Sequence, residues 1–236
     1  MHIFSMETIG ERIIAFYRAI DFTGILPLGI SVMNPYKNNP GVMKVVEEFY
    51  KKFYSDNNPR YIIFVINPGR FGAGVTGITF TDTVRLREIC GIDFPGAETR
   101  EISSVFVYKM INRFGGPGKF YSRFFIGAVS PLGFTMKNKN GREVNFNYYD
   151  KPELLNAAYN FIYTSIKKQV DLGIISDICF CLGTGKNFRF LSAINEKHSW
   201  FNKIVPLEHP RFIMQYRRKK ADLFIKKYLK ILKGFK

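Results

Sequence analysis

The chain is poor in the residues that build metal centres and covalent staples. Its 236 residues hold 3 Cys and 3 His. Three thiols cannot complete a four-Cys zinc or iron–sulfur site. His2, His198 and His209 are scattered too widely to suggest a metal centre. No metal or other cofactor is expected, and the cysteine usage fits a reducing compartment. Cys90 stands alone. Cys179 and Cys181 fall two apart in an apolar run, so both face one side of a strand and fill space. Long apolar runs are missing too, since none approaches the ~18 residues that span a membrane. The start, Met1-His2-Ile3-Phe4-Ser5, lacks the charged onset and apolar stretch of a signal peptide. Met6 is an alternative start. The expectation is a cytoplasmic monomer with no membrane partner.

Acidic residues are also scarce. There are 19 Asp and Glu against 35 Lys and Arg, a net charge of +16. Such an excess attracts polyanions and raises the rate of encounter with them. It does not say which polyanion, and a solvated basic surface is the plain alternative. Hydrophobic residues make up 46% of the chain and mean hydropathy is −0.08. That balance belongs to a folded globule. A chain of this length forms a full core as one domain, with a helical extension over about 1–58.

Apolar residues at helical spacing mark Glu7 to Ala19 and Val42 to Tyr54, with a turn-rich stretch between them from Asn34 to Gly41. Tyr61 to Ile66, Phe124 to Val129, Ile174 to Leu182 and Lys203 to Leu207 read as strands. Ser103 and Ser104 are candidate caps for a helix running to Phe114. Pro152 to Val170, Asn187 to Ile194 and Ala221 to Leu232 read as helices, and Asn138 to Asp150 as a polar loop. Buried strands alternating with helices imply a parallel sheet covered on both faces.

Polar side chains stand at two of the strand exits, where open α/β sheets build their sites. After the first strand comes Asn67-Pro68-Gly69-Arg70-Phe71-Gly72-Ala73-Gly74-Val75-Thr76-Gly77-Ile78-Thr79-Phe80. Taken alone, Asn67 reads as an Asx turn closing the strand and Phe80 as a core residue. The glycines nearby allow backbone to approach a ligand closely, and Phe80 is then a stacking plate. After the fourth strand comes Leu207-Glu208-His209-Pro210. Alone, His209 reads as a surface cap. Arg211-Phe212-Ile213-Met214 follows it, mixing a cation with apolar groups able to wedge into a base stack. From Arg211 onward the chain carries ten Lys or Arg, Arg217 among them, against the single acid Asp222. Gly183-Thr184-Gly185-Lys186 joins a strand to a helix, and backbone N–H groups there favour an anion. It is not a P-loop, because the first Gly of that pattern is missing.

These residues resemble a known family. Asn67-Pro68-Gly69-x-Phe71-Gly72 with Thr76-Gly77 and Phe80 is similar to the first motif of single-strand-selective monofunctional uracil-DNA glycosylases. His209-Pro210 is similar to the start of their second. Ser130-Pro131-Leu132 and Gly183-Thr184-Gly185-Lys186 fall where that family has a Cys-Pro-Leu strand end and a Gly-x-Gly-basic turn. The resemblance covers roughly Tyr61 to Tyr216. It implies a three-layer α/β/α domain with a four-stranded, mostly parallel sheet, and DNA as partner. It implies that Asn67 positions the water attacking C1′ and that His209 donates a hydrogen bond to O2 of the departing base. Phe80 would stack on a flipped base. Gly69 would leave room beside C5, where other uracil glycosylases place a Tyr. Backbone near Ile66 and Phe71 would touch the base edge. The Gly183–Lys186 turn would hold phosphate, while Pro210, Arg211, Phe212, Ile213 and Arg217 would contact the duplex and fill the gap in it.

Two positions depart from that family. Its uracil-reading Asn on the second strand is absent, and Gly127 or Ala128 occupies the place. Asn145 or Asn147 are the candidates to compensate, and the expected substrates widen to xanthine or hypoxanthine. The second motif continues Arg211-Phe212 in place of Ser-Pro. The function expected is a monofunctional DNA glycosylase of base excision repair, since no Lys is placed by a motif to form a Schiff base. It would remove uracil or another deaminated base and leave an abasic site. Two rivals stand beside it: a catalytically silent nucleic-acid-binding domain on the same fold, and a hydrolase of free nucleosides, which the basic tail disfavours.

Overall fold

The computed structural model describes residues 7–235. The signal-peptide reading of Met1 to Ser5, the alternative start at Met6 and His2 lie outside them. Helix α1 (Ile9–Ala19) opens on Thr8, whose side chain accepts from Glu11 N while Glu11 returns a bond to the Thr8 backbone. A short strand β1 (Ile30–Met33) follows, then α2 (Pro35–Asn38) and α3 (Pro40–Phe53). The stretch expected to be only turns thus holds a helical turn, capped by Asn34. Strand β2 (Arg60–Val65) leads to short helices α4 (Ala73–Thr76) and α5 (Thr83–Glu88), then α6 (Ile102–Phe114) and α7 (Pro117–Tyr121). Strands β3 (Phe124–Ala128), β4 (Gly133–Lys137) and β5 (Glu143–Phe146) precede the long α8 (Pro152–Val170). Then come β6 (Ile174–Leu182), α9 (Lys186–His198), β7 (Lys203–Leu207), α10 (Pro210–Tyr216) and α11 (Ala221–Lys233).

The four expected strands form one sheet in the order β3-β2-β6-β7. Every pairing in it is parallel. One face, carrying Ile63 and Ile126, packs against Val107 and Met110 of α6 and Tyr228 and Leu232 of α11. On the other face Phe125 meets Tyr50 and Tyr54 at the end of α3, and α8 lies against β6. This is the α/β/α layering expected. Cys90, Cys179 and Cys181 are free and buried.

A second sheet was not expected. The antiparallel strands β1-β4-β5 form it, with Phe134 opposite both Val32 and Phe146. The polar loop expected over 138–150 therefore contains a strand. The reason is register: Glu143 to Phe146 pairs one for one with Lys137 to Phe134, so long-range hydrogen bonds override a polar composition that favours turns.

The chain runs from β2 outward to β3 on one side and from β6 outward to β7 on the other. The strand order therefore reverses between β2 and β6, and a crevice opens beyond their carboxyl ends. No helix among the described residues is long and apolar enough to cross a membrane.

Candidate active site

That crevice is a cavity of about 340 Å³, a size that suits a small-molecule or base-sized ligand. Ile66, Asn67 and Gly69 enter from the exit of β2, and His209 from the exit of β7. Phe80, Asn145 and Asn147 close its walls. Four of the residues expected to act on a base, Ile66, Asn67, Gly69 and Phe80, thus meet His209 in one place.

Asn67 is not an Asx turn. Its Nδ2 donates to the Pro68 and Phe146 carbonyls, each at 3.3 Å. Its Oδ1 accepts from Tyr148 N at 3.3 Å. The amide is thus held by the segment that follows β5, and Oδ1 keeps a second lone pair for a water in the cavity.

His209 caps α10: its Nδ1 accepts from Arg211 N at 3.1 Å. With Nδ1 accepting, the proton of the neutral ring sits on Nε2. Burial, with the positive charge of Arg211 beside it, lowers the imidazole pKa to about 4. At neutral pH the ring is therefore an uncharged donor. Phe80 stands edge-on to it, with ring centroids 5.7 Å apart. Phe80 holds φ at 54°, a left-handed conformation that costs a non-Gly residue free energy. Thr76 Oγ1, donating to Thr81 O at 2.6 Å, and Tyr36 OH, donating to Gly77 O at 2.9 Å, tie down the loop that imposes it. Gly77 closes α4 at φ 74°, and a Cβ there would strike Val42 and Val46.

Several expected contacts fall elsewhere. Gly127 and Ala128 do not reach the cavity. Gln169 of α8 covers them: its Oε1 accepts from Ala128 N at 3.1 Å and its Nε2 donates to Ala128 O at 2.9 Å. A Cβ at position 127 would collide with Gln169 Oε1. The missing side chain at 127 thus makes room for a glutamine that caps the free edge of β3. Phe71, 55% exposed, lines a neighbouring cavity with Arg70 and Arg100. Ile213 is fully buried, and Pro210 is buried at the first turn of α10, so neither side chain is free to enter DNA. Helical periodicity explains it: α10 turns Ile213 inward and leaves Phe212 and Tyr216 outward, 44% and 61% exposed at the cavity rim. Arg211 lines the same cavity, and the Arg217 guanidinium lies over the Phe212 ring at 5.9 Å. The Gly183 to Lys186 turn lies outside it, with Thr184, Gly185 and Lys186 exposed.

One cavity residue escaped sequence reasoning. Glu101 projects from the N-cap of α6, in place of the expected caps Ser103 and Ser104, which are buried. Ser104 Oγ instead donates to Glu101 Oε2 at 3.1 Å. Burial raises the carboxyl pKa to about 7, Asp82 nearby pushes the same way, and Ser104 and Arg211 oppose. Nothing in the surrounding Thr99-Arg100-Glu101 distinguishes it from a surface acid. Among the described residues no group of three or more His, Cys, Asp or Glu comes together to hold a metal ion.

A strand-exit Asn and a neutral His that line one base-sized crevice agree with the family model described as Uracil DNA glycosylase superfamily, which matches residues 51–233. The chain belongs to that superfamily. Within it, the chain is similar to wild-type SMUG2 of Pedobacter heparinus, whose crystal structure superposes with a TM-score of 0.95 at 50% sequence identity, covering 97% of this chain and 98% of that one. No curated protein matches the chain.

Proposed function

We propose that this protein is a monofunctional DNA glycosylase that hydrolyses the N-glycosidic bond of a deaminated base and leaves an abasic site. The observation that carries the reading is that Asn67 and His209 line one cavity, with the Phe80 ring edge-on to His209. The target base leaves the stack at a cost of a few kcal/mol, least when it is mispaired or single-stranded. It enters the cavity and stacks on Phe80. As the C1′–N bond lengthens, the sugar gains positive charge and the base negative charge. The Nε2–H of neutral His209 donates to the base oxygen, a preorganised donor aimed at charge that develops only in the transition state. The base departs with the bonding pair. Water on Asn67 Oδ1 adds to C1′, and its proton passes to solvent or to the base. Asn67 orients the water and takes no proton, so no carboxylate base is needed for a uracil leaving group. Phe212 and Tyr216 at the rim fill the space the base vacates. Arg211, Arg217 and the Gly183 to Lys186 turn hold phosphates.

A silent nucleic-acid-binding domain is the second reading, favoured by the closure of the β3 exit where the family keeps its uracil-reading Asn. Base release from oligonucleotides carrying uracil, 5-hydroxymethyluracil, xanthine or hypoxanthine, followed by alkali cleavage, separates the two. Cleavage abolished by Asn67→Ala and by His209→Ala is the expected result. Binding of damaged and normal DNA with equal affinity, and no base released, would establish the silent domain.

A further inference from the structure

The cavity of Asn67 adjoins a second one that the reaction described above does not use. The second cavity holds about 380 Å³, room for another base-sized group. Glu101, Ser103, Asn145 and Arg211 line both, so a ligand in one lies beside a ligand in the other. Phe71 and Ile102, 55% and 46% exposed, border the second cavity alone. Single exposed apolar residues are ordinary on a protein surface. Two on one cavity, beside Arg70, Arg100 and Arg211, suit a group that is planar and apolar at one end and anionic at the other. Glu101 is the one acid among the lining residues. Burial raises its pKa to about 7, which weakens its opposition to an anion.

The Phe71 ring is presented on a fixed turn. Gly72 N donates to Gly69 O at 3.3 Å, and Arg70 N donates to Asn145 Oδ1 at 3.0 Å, which ties the turn to β5. The Arg70 guanidinium lies over the ring at 5.0 Å. A ring held in this way loses little freedom when a flat group settles on it. The cations around it are incompletely paired. Arg70 Nη1 approaches Glu143 only to 4.0 Å, and Arg70 Nε is buried without a hydrogen-bond partner, a state that buried donors rarely keep. Arg100 meets Glu98 at 2.8 Å with both side chains exposed, a pair of little net strength.

We infer that the second cavity binds the nucleotide next to the one being extruded, with its base stacked on Phe71. The phosphate joining the two nucleotides then lies beside Arg211, which borders both cavities, while Arg70 and Arg100 neutralise the next one. The inference rests on the glycosylase reading above and adds to it a determinant of sequence context. Stacking tolerates every base, and it strengthens with the area of the ring system. A purine neighbour is therefore favoured over a pyrimidine, whichever base is being released.

The test uses single-stranded oligonucleotides, in which no pairing holds the neighbour in place. Each carries whichever of uracil, 5-hydroxymethyluracil, xanthine or hypoxanthine the wild type releases. The position on its 5′ or its 3′ side holds adenine, thymine or a tetrahydrofuran spacer, an abasic site stable to alkali. Single-turnover release at rising protein concentration gives the half-saturating concentration for wild type, Phe71→Ala and Phe71→Trp. For wild type, the spacer on one of the two sides should raise that concentration roughly 5–100-fold over adenine, and thymine should raise it less. Phe71→Ala should show the same rise with adenine in place and no further rise with the spacer, because both changes remove one contact. Phe71→Trp should keep the preference for adenine. The spacer series on wild type stands whether or not a variant folds. Spacers tolerated by wild type on both sides, or losses from the spacer and from Phe71→Ala that multiply, overturn the inference and leave the glycosylase reading intact. No base released from any oligonucleotide overturns both.

Discussion

Two neighbouring strands of the same parallel sheet end in opposite ways. At the exit of β2 the chain turns through Asn67 and Gly69 into an open cavity. At the exit of β3 a glutamine from α8 fills the corresponding place and bonds both backbone groups of Ala128. Both exits lie at carboxyl ends of strands, where topology alone would allow a site. The difference is in what covers them. β2 is internal, with strands on both sides, so its polar groups are paired within the sheet. β3 is an edge strand with a free ladder, and its buried N–H and C=O need partners. Edge satisfaction therefore competes with ligand binding for the same few ångströms, and at β3 it has won.

The sharpest way to break this contrast is to empty the open exit. His209→Ala is expected to slow base release by about 10²–10³-fold with the melting temperature about 2–4 °C lower as the α10 cap is lost, as followed by single-turnover kinetics and circular dichroism. A smaller and inverse effect belongs to the plugged exit. Gln169→Ala leaves a buried N–H and a buried C=O unpaired at about 1–3 kcal/mol each, so urea unfolding should show a loss of about 2–4 kcal/mol with the rate constant of base release within a few-fold of wild type. Gly127→Asn, which puts an Asn at one of the two positions where the resemblance implies the family's own, should destabilise by colliding with Gln169 and gain no preference for uracil. If Gly127→Asn folds well and sharpens uracil release, the β3 exit is not closed in solution and the contrast fails.

The acid in the cavity gives a pH signature of stability. Glu101 has a folded-state pKa near 7 against about 4.3 in an unfolded chain. The folded state then binds the extra proton between those values, so this group destabilises the protein above about pH 7 and the cost fades as pH falls toward 4.5. Glu101→Gln should therefore melt several degrees above wild type near pH 8 and lose that advantage near pH 4.5. His209, with its pKa lowered to about 4, has the opposite sign. Its unfolded form gains a proton below about 6.5, so stability falls with pH from there to 4, and a His209→Ala variant should lack that decline. The smallest expected effect is at the third exit. Lys186→Ala on the exposed turn after β6 should weaken DNA binding to all sequences alike and lower the slope of log K against log salt by about 1.

The strands of the parallel sheet were legible because each contains an apolar run, fully buried in β3 and nearly so in β2, a pattern composition alone reveals. Asn67 and His209 were legible as polar groups immediately after such runs. The second sheet was not. Ile30 to Met33 is four residues long, and Glu-Val-Asn-Phe at 143–146 is half-exposed, so neither carries a hydrophobic signal strong enough to outweigh the turn-forming residues around it. The partner that holds the Asn67 amide therefore stayed hidden with it. Ile213 was assigned to DNA because an apolar residue beside a cation looks like a wedge, whereas the helix that buries it depends on packing against α6. Glu101 carries no local signal. It reaches the cavity because residues 89–101 bring the chain back from α5, and only the fold sets that return.

The Asn67 amide, proposed to position water, is fastened to the carbonyl of Phe146 and the N–H of Tyr148, at the end of the outermost strand of the smaller sheet. That strand is four residues long and no residue in it is fully buried. In native-state hydrogen exchange such a strand opens at a free energy below that of global unfolding. On the proposed reading, competence for catalysis is then limited by a strand that meets the core through Phe146, itself only partly buried. A population of molecules that are folded by every optical probe yet have the β5 amides exchanging would be inactive molecules, and their fraction sets the ceiling on active-site titration.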